Sequence, residues 1–147
     1  VHPSKEREEK FAVKFVPLDE LMKQADFIVI CAALNPSTLG LIGKEQISLM
    51  QKTAYLINTA RGKIVDYDAL YEALLEKRIA GAGIDVLYKE PPGPTHPFFE
   101  LDNVIVTPHL GSRSADANER VTNMVADEIV RMEDGEKPVN PVNEITG

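Results

Sequence analysis

Residues 54–87, AYLINTARGKIVDYDALYEALLEKRIAGAGIDVL, read as one strand–helix–strand unit and decide the fold. Ala54–Ala60 (AYLINTA) is a largely apolar run of strand length and reads as a buried strand. Asp66 follows as the cap of a helix that the spacing predicts through Arg78, with Ala69, Leu70, Ala73 and Leu74 on one face. Lys77 and Arg78 stand at the end of that helix where positive charge is favoured. Ala80–Leu87 then reads as a second strand. Gly81 and Gly83 weaken it as a strand but allow close packing or ligand approach. A strand, a crossover helix and a strand make a parallel pair.

The same alternation extends outward in both directions. On the amino side, Asp26–Ala33 (DFIVICAA) reads as a fully buried strand. Before it come a highly charged, solvated helix at Lys5–Phe11, a short extended piece at Val13–Val16, and a helix at Leu18–Ala25 with Asp19 and Glu20 in its first turn. Asn35-Pro36-Ser37-Thr38 is a loop, and Gly43–Gln51 is a further helix. On the carboxyl side, a proline-rich loop at Pro91–Pro97 and a turn at Phe98–Leu101 lead into a strand at Asn103–Thr107. Ser114 caps a long helix to about Glu133, with Ala117, Val121, Met124, Val125 and Ile129 on one face and Gly135 as its stop. The tail from Pro138 is expected to be extended. The pattern specifies an α/β fold, a parallel sheet with flanking helices, in one domain.

Bulk composition bounds the function. A chain of 147 residues, 44% hydrophobic and 27% charged, can bury a core as a soluble globular protein. The net charge of −7 provides no basic face for a phosphate backbone, so nucleic acid is not an expected partner. The apolar stretch around Phe27–Leu34 is far too short to span a bilayer, so no membrane role is expected. The single Cys31 rules out an internal disulfide and fits a reducing, cytoplasmic setting. Its place in an apolar run makes it an expected inert core thiol. No metal site is expected. The opening Val1-His2-Pro3-Ser4-Lys5, without an initiator Met or signal peptide, reads as a cut or processed start.

Three charged residues end three of the apolar runs: Arg61, Glu90 and His109. In neighbouring parallel strands all three gather along the carboxyl rim, where open α/β sheets bind ligands. A guanidinium forks onto a carboxylate with two parallel hydrogen bonds. An imidazole can take the proton of a hydroxyl while a hydride leaves the same carbon. A carboxylate such as Glu90 would favour the imidazolium and fix the ring. Gly62 beside Arg61 is expected to leave room for a substrate. Each residue alone has an ordinary reading too: Arg61 as a solvent-facing junction residue, His109 as a structural histidine, Glu90 as a loop charge. Asp85 stands inside a buried strand and needs a partner, either a ligand amide or backbone N–H groups with a nearby cation. His2 lies in the ragged start, and His96 is expected to pack within its loop.

These runs, taken in order, resemble a known family. Asp26–Ala33, Asn35–Ile42, Ile57–Asp66, Gly83–Val86 through Glu90-Pro91, and Asn103–Gly111 resemble the D-isomer-specific 2-hydroxyacid dehydrogenases, over about Phe11 to Gly135. The resemblance implies an oxidoreductase moving a hydride between NAD or NADP and a 2-hydroxy or 2-keto acid. It implies that Arg61 binds the substrate carboxylate and polarises the carbonyl, that His109 is the general acid/base, and that Glu90 is its partner. It also implies that Asp85 meets the nicotinamide carboxamide, that Ala32, Thr59 and Ala60 line the cofactor together with Arg61 and His109, and that the Gly111-Ser112 backbone lies near it.

The departure from the family is large. The family's G-x-G-x-x-G turn, which receives the pyrophosphate, has no counterpart, since Gly81-Ala82-Gly83 lies within a strand and lacks the third glycine. The expectation is therefore a partial Rossmann-type sheet without the first strands and the Gly-rich turn. Residues 1–147 would be the carboxyl-side portion of a dinucleotide-binding domain, without the separate substrate domain and inactive alone. Glyoxylate, hydroxypyruvate and phosphoglycerate-type substrates all fit. Lys5 and Arg7 suit a 2′-phosphate site and a solvated helix equally, which leaves NAD and NADP open. A homodimer or higher self-association is expected. The alternative reading is a non-catalytic binding module, like the corepressors built on the same scaffold; a cofactor-free structural remnant is a third.

Overall fold

The computed structural model describes residues 4–141, so His2, the rest of the opening tripeptide and the end of the tail lie outside the described residues. Its elements in chain order are α1 (Lys5–Phe11), α2 (Leu18–Gln24), β1 (Phe27–Ile30), α3 (Lys44–Ser48), β2 (Tyr55–Asn58), α4 (Tyr67–Leu75), β3 (Gly81–Ile84), β4 (Val104–Val106) and α5 (Ala115–Glu133). Single 3₁₀ turns occur at Gly62–Ile64 and Pro97–Glu100. The four strands form one parallel sheet in the order β1-β2-β3-β4. This is the α/β architecture with flanking helices that the alternation predicts.

The strands are one-sided, which corrects the expectation of fully buried runs at 26–33 and 54–60. Successive strand side chains point to opposite faces. Ile28, Ile30, Leu56, Ala82 and Ile84 enter a single core with Met22 of α2, Ile47 of α3 and Leu70, Ala73 and Leu74 of α4. On the opposite face Phe27 is 65% exposed and Val29 54%, with Tyr55 and Ile105 exposed beside them. Phe27 and Tyr55 share a register position and stack with ring centroids 5.5 Å apart. Gly81 is next in that row, and a Cβ there would stand 2.5 Å from the Asn103 carbonyl and 3.0 Å from the Tyr55 ring. The expected close packing at Gly81 is therefore real.

The elements are shorter than their sequence signals. Cys31, just past the end of β1, is an exposed free thiol, correcting the core reading. In the strand alternation it is in step with the exposed Phe27 and Val29 and not with the buried Ile28 and Ile30. Asp66 caps α4 by accepting from the N–H groups of Asp68 and Ala69, as expected. The helix ends at Leu75, three residues before Arg78, because Lys77 turns left-handed at φ 52°. There the Arg78 N–H donates to the Ala73 carbonyl and the Lys77 N–H to that of Leu74, which satisfies the last carbonyls of the helix. Val13–Val16 forms no strand. The Val13 N–H returns to the Glu8 carbonyl and the Phe15 N–H to the Glu8 carboxylate at 2.7 Å.

The chain forms two compact units, dividing after His109. The first holds the sheet and α1–α4. The second holds α5, which Ser114 caps by accepting the Ala117 N–H at 3.1 Å. Val121, Met124, Val125 and Ile129 of α5 are exposed.

Candidate active site

The turn after β2 is organised by a buried amide. Asn58, 1% exposed, ends the strand with its side chain in the core. Its Oδ1 accepts the Ala60 N–H at 3.0 Å, and its Nδ2 donates to the Arg61 carbonyl at 3.0 Å and to the Tyr67 hydroxyl at 3.2 Å. Arg61 is thereby set in extended conformation, exposed, with Nη1 donating to the Ala60 carbonyl at 2.7 Å. Gly62 is buried, and a Cβ there would lie 2.4 Å from the Leu87 carbonyl carbon and 2.8 Å from the Tyr88 nitrogen. Its missing side chain makes room for the Leu87-Tyr88 backbone and not for a substrate, which corrects the expectation.

The loop after β3 carries the acids. Asp85, 7% exposed, follows the last residue of β3, and its N–H donates to the Asn58 carbonyl at 2.9 Å. The Thr107 hydroxyl donates to its carboxylate at 2.5 Å. A side-chain hydroxyl is thus a partner that the sequence reading did not name. Glu90 accepts the Leu87 N–H on Oε1 at 2.7 Å and places Oε2 2.6 Å from His109 Nδ1. The hydrogen bond with His109 and then the Leu87 N–H hold the Glu90 carboxyl below the usual carboxylate range. With the proton on Nδ1, the imidazole donates to Glu90 and keeps Nε2 for proton exchange.

His109 sits past β4 in the left-handed region at φ 55°. A non-glycine residue stays there only when its surroundings over-determine it. Here its N–H is within 3.0 Å of both the Asp85 and the Thr107 carbonyls. His96 packs within its loop as expected, accepting the Phe98 N–H on Nδ1 and lying against the Phe98 and Phe99 rings.

Three hollows run along this rim. Arg61, Glu90 and His109 line one of about 300 Å³. Asp85, Thr107, Glu90 and His109 line a second of about 480 Å³. Ala32, Thr59, Ala60 and Arg61 line a third of about 680 Å³. Small side chains at 32, 59 and 60 leave that third space open, and a buried carboxylate at 85 suits an amide donor. This donor set fits the nicotinamide half of a dinucleotide. Gly111 and Ser112 belong to the second unit. Among the described residues no cluster of His, Cys, Asp and Glu could hold a metal ion, and no helix is long and apolar enough to cross a membrane.

Sequence reading missed Asn58, Tyr67 and Thr107. A polar residue inside an apolar strand run was the available signal for Asn58, since a buried amide must find partners. Tyr67 is buried, its hydroxyl donating to the Val86 carbonyl and its ring stacked on Tyr88 at 4.9 Å.

Residues 1–111 match the family described as D-isomer specific 2-hydroxyacid dehydrogenase, NAD binding domain. The chain is 43% identical over 137 residues to the glyoxylate reductase of Korarchaeum cryptofilum, covering 93% of this chain and 41% of that protein. A D-isomer specific 2-hydroxyacid dehydrogenase from Lactobacillus delbrueckii ssp. bulgaricus, solved in its NAD-complexed form, superposes with a TM-score of 0.86 at 30% identity, over 97% of this chain and 47% of that one. The corresponding enzyme of Xanthobacter autotrophicus Py2, solved with NADPH and MES, gives a TM-score of 0.72 at 35% identity, over 86% of this chain and 51% of that one. The chain therefore spans about half or less of the length of these relatives.

Proposed function

This chain belongs to the D-isomer-specific 2-hydroxyacid dehydrogenase family, in its NAD-binding domain, and we propose that it carries the proton-transfer and carboxylate-binding groups of an oxidoreductase acting on small 2-hydroxy and 2-keto acids. The observation that carries this reading is the meeting of Arg61 with the Glu90–His109 pair on one hollow.

A nicotinamide bound here would supply or accept the hydride. Ala32, Thr59 and Ala60 would line it, with Arg61 and His109 beside it and Asp85 facing its carboxamide. Arg61 grips the substrate carboxylate through its planar fork and draws charge from the adjacent carbonyl. In reduction, His109 gives its Nε2 proton to the carbonyl oxygen as the carbon is reduced; in oxidation it takes that proton back. Glu90 keeps the ring in the tautomer this requires.

Residues 1–147 are, in this reading, the carboxyl-side portion of a dinucleotide-binding domain, which works with a substrate-binding portion outside this chain. The fraction of the relatives' length that the chain spans supports that division. Alone, the chain would not turn over. The cofactor is NAD or NADP, each seen with one of the similar structures. A cytoplasmic setting would keep the exposed Cys31 reduced.

The test is steady-state kinetics of the complete enzyme with glyoxylate and hydroxypyruvate, for the natural sequence and for Arg61→Lys. Losing a bidentate grip in the transition state costs on the order of 2–4 kcal/mol, roughly a 30–1000-fold fall in kcat/KM. An Arg61→Lys enzyme with unchanged kcat/KM would remove Arg61 from the site.

A further inference from the structure

The Glu90 carboxylate is aimed at His109 by a main-chain group, the Leu87 N–H. That N–H belongs to the same planar unit as the Val86 carbonyl, because a peptide bond is rigid and its C=O and N–H point in opposite directions. Whatever grips the Val86 carbonyl therefore sets the direction of the Leu87 N–H. The Tyr67 hydroxyl grips it, donating its proton to the Val86 oxygen while accepting from Asn58 Nδ2. The next unit is held as well, since Gly62 packs directly on the Leu87 carbonyl and the Tyr88 nitrogen.

We propose that Asn58 and Tyr67 are positioning residues which orient the Val86–Leu87 peptide, and through it hold Glu90 against His109 in step with the turn that carries Arg61. Asn58 commits one amide to both sides of the site, donating to the Arg61 carbonyl and to the Tyr67 hydroxyl. The connection is buried: Asn58 and Tyr67 are both in the core, with the Tyr67 ring stacked on Tyr88 and edge-on to Phe98. Burial pushes the Tyr67 hydroxyl well above its usual range, so it stays a neutral donor wherever the protein is folded. An oriented dipole of this kind acts through Glu90 and needs no contact with substrate.

The inference rests on the catalytic reading of Glu90 and His109, but its readout is a carboxyl titration and not turnover, so the two stand or fall by different measurements. Arg61 and Lys63 from the turn after β2, Asp85, Tyr88 and Lys89 from the loop after β3, and His109 past β4 supply the charged and titratable surroundings of Glu90. Tyr67→Phe leaves all of them in place and keeps the ring. In the complete enzyme, carbon-13 NMR of the Glu90 carboxyl should show its titration midpoint rising by about half a unit or more in Tyr67→Phe, as the Leu87 N–H loses its aim. Tyr71→Phe, on the next turn of α4, should leave the midpoint where it is. A folded Tyr67→Phe that titrates like the natural enzyme, or a Tyr71→Phe that shifts equally, overturns the proposal. A second reading needs no variant: the Leu87 amide proton of the natural enzyme should move with the Glu90 titration, and an amide indifferent to it also overturns the proposal.

Discussion

Glu90 and His109 meet across two neighbouring strand ends, with Oε2 2.6 Å from Nδ1. They stand nineteen positions apart in the chain, and the pairing of β3 with β4 brings them together. The pair is partly open to solvent, its side chains 34% and 47% exposed. It therefore contributes little to stability, at most about 1 kcal/mol.

That small contribution has a definite pH dependence. Glu90 titrates lower in the folded chain than its ordinary value, through its hydrogen bond with His109 and then with the Leu87 N–H. A depressed carboxyl stabilises the fold above its ordinary value and loses that contribution as pH falls through the lowered one. The difference in Tm between the natural chain and Glu90→Gln should therefore be measurable near pH 6 and close in strong acid. A difference that is the same at both ends would contradict the ion pair.

His109→Asn separates chemistry from conformation. Asparagine tolerates the left-handed backbone that His109 adopts, so the turn should survive. Proton transfer should not. In the complete enzyme, single-turnover hydride transfer should slow by about 10²–10⁴-fold, with cofactor affinity by fluorescence titration little changed. Hydride transfer at the natural rate would retire His109 as the acid/base.

Gly62→Ala tests the close approach beneath Arg61. Its Cβ would enter the space of the Leu87 backbone, and neither partner is a flexible side-chain end that could swing away. Overpacking of this kind should destabilise the fold by about 1–3 kcal/mol, read as a lower urea midpoint. An unshifted midpoint would show that the 62 and 87 segments part easily.

β1 is an edge of the four-stranded sheet and presents Phe27 and Val29 on an exposed face. Edges of this kind recruit other chains. The 147-residue chain should self-associate in light scattering at micromolar concentration, and Val29→Lys should lower the apparent mass. A natural chain that stays monomeric would show that the edge is protected.

The α/β order, the α4 face and the three rim residues were legible in the sequence because each has a local signature. Ala69, Leu70, Ala73 and Leu74 repeat at helical spacing, and all four are buried. Arg61, Glu90 and His109 each follow an apolar run, and parallel pairing alone places run ends on one edge. Tertiary structure decided the rest. Whether Phe27 and Val29 are covered depends on what packs against the sheet's second face, and a run of apolar letters does not encode that. The end of α4 at Leu75 depends on the left-handed turn at Lys77, where the residue carries no glycine signal. Asn58, Tyr67 and the Val86 carbonyl form one path only after β2, α4 and β3 have packed. Two of its contacts are to main-chain oxygens, which every residue possesses and which no side-chain pattern can mark.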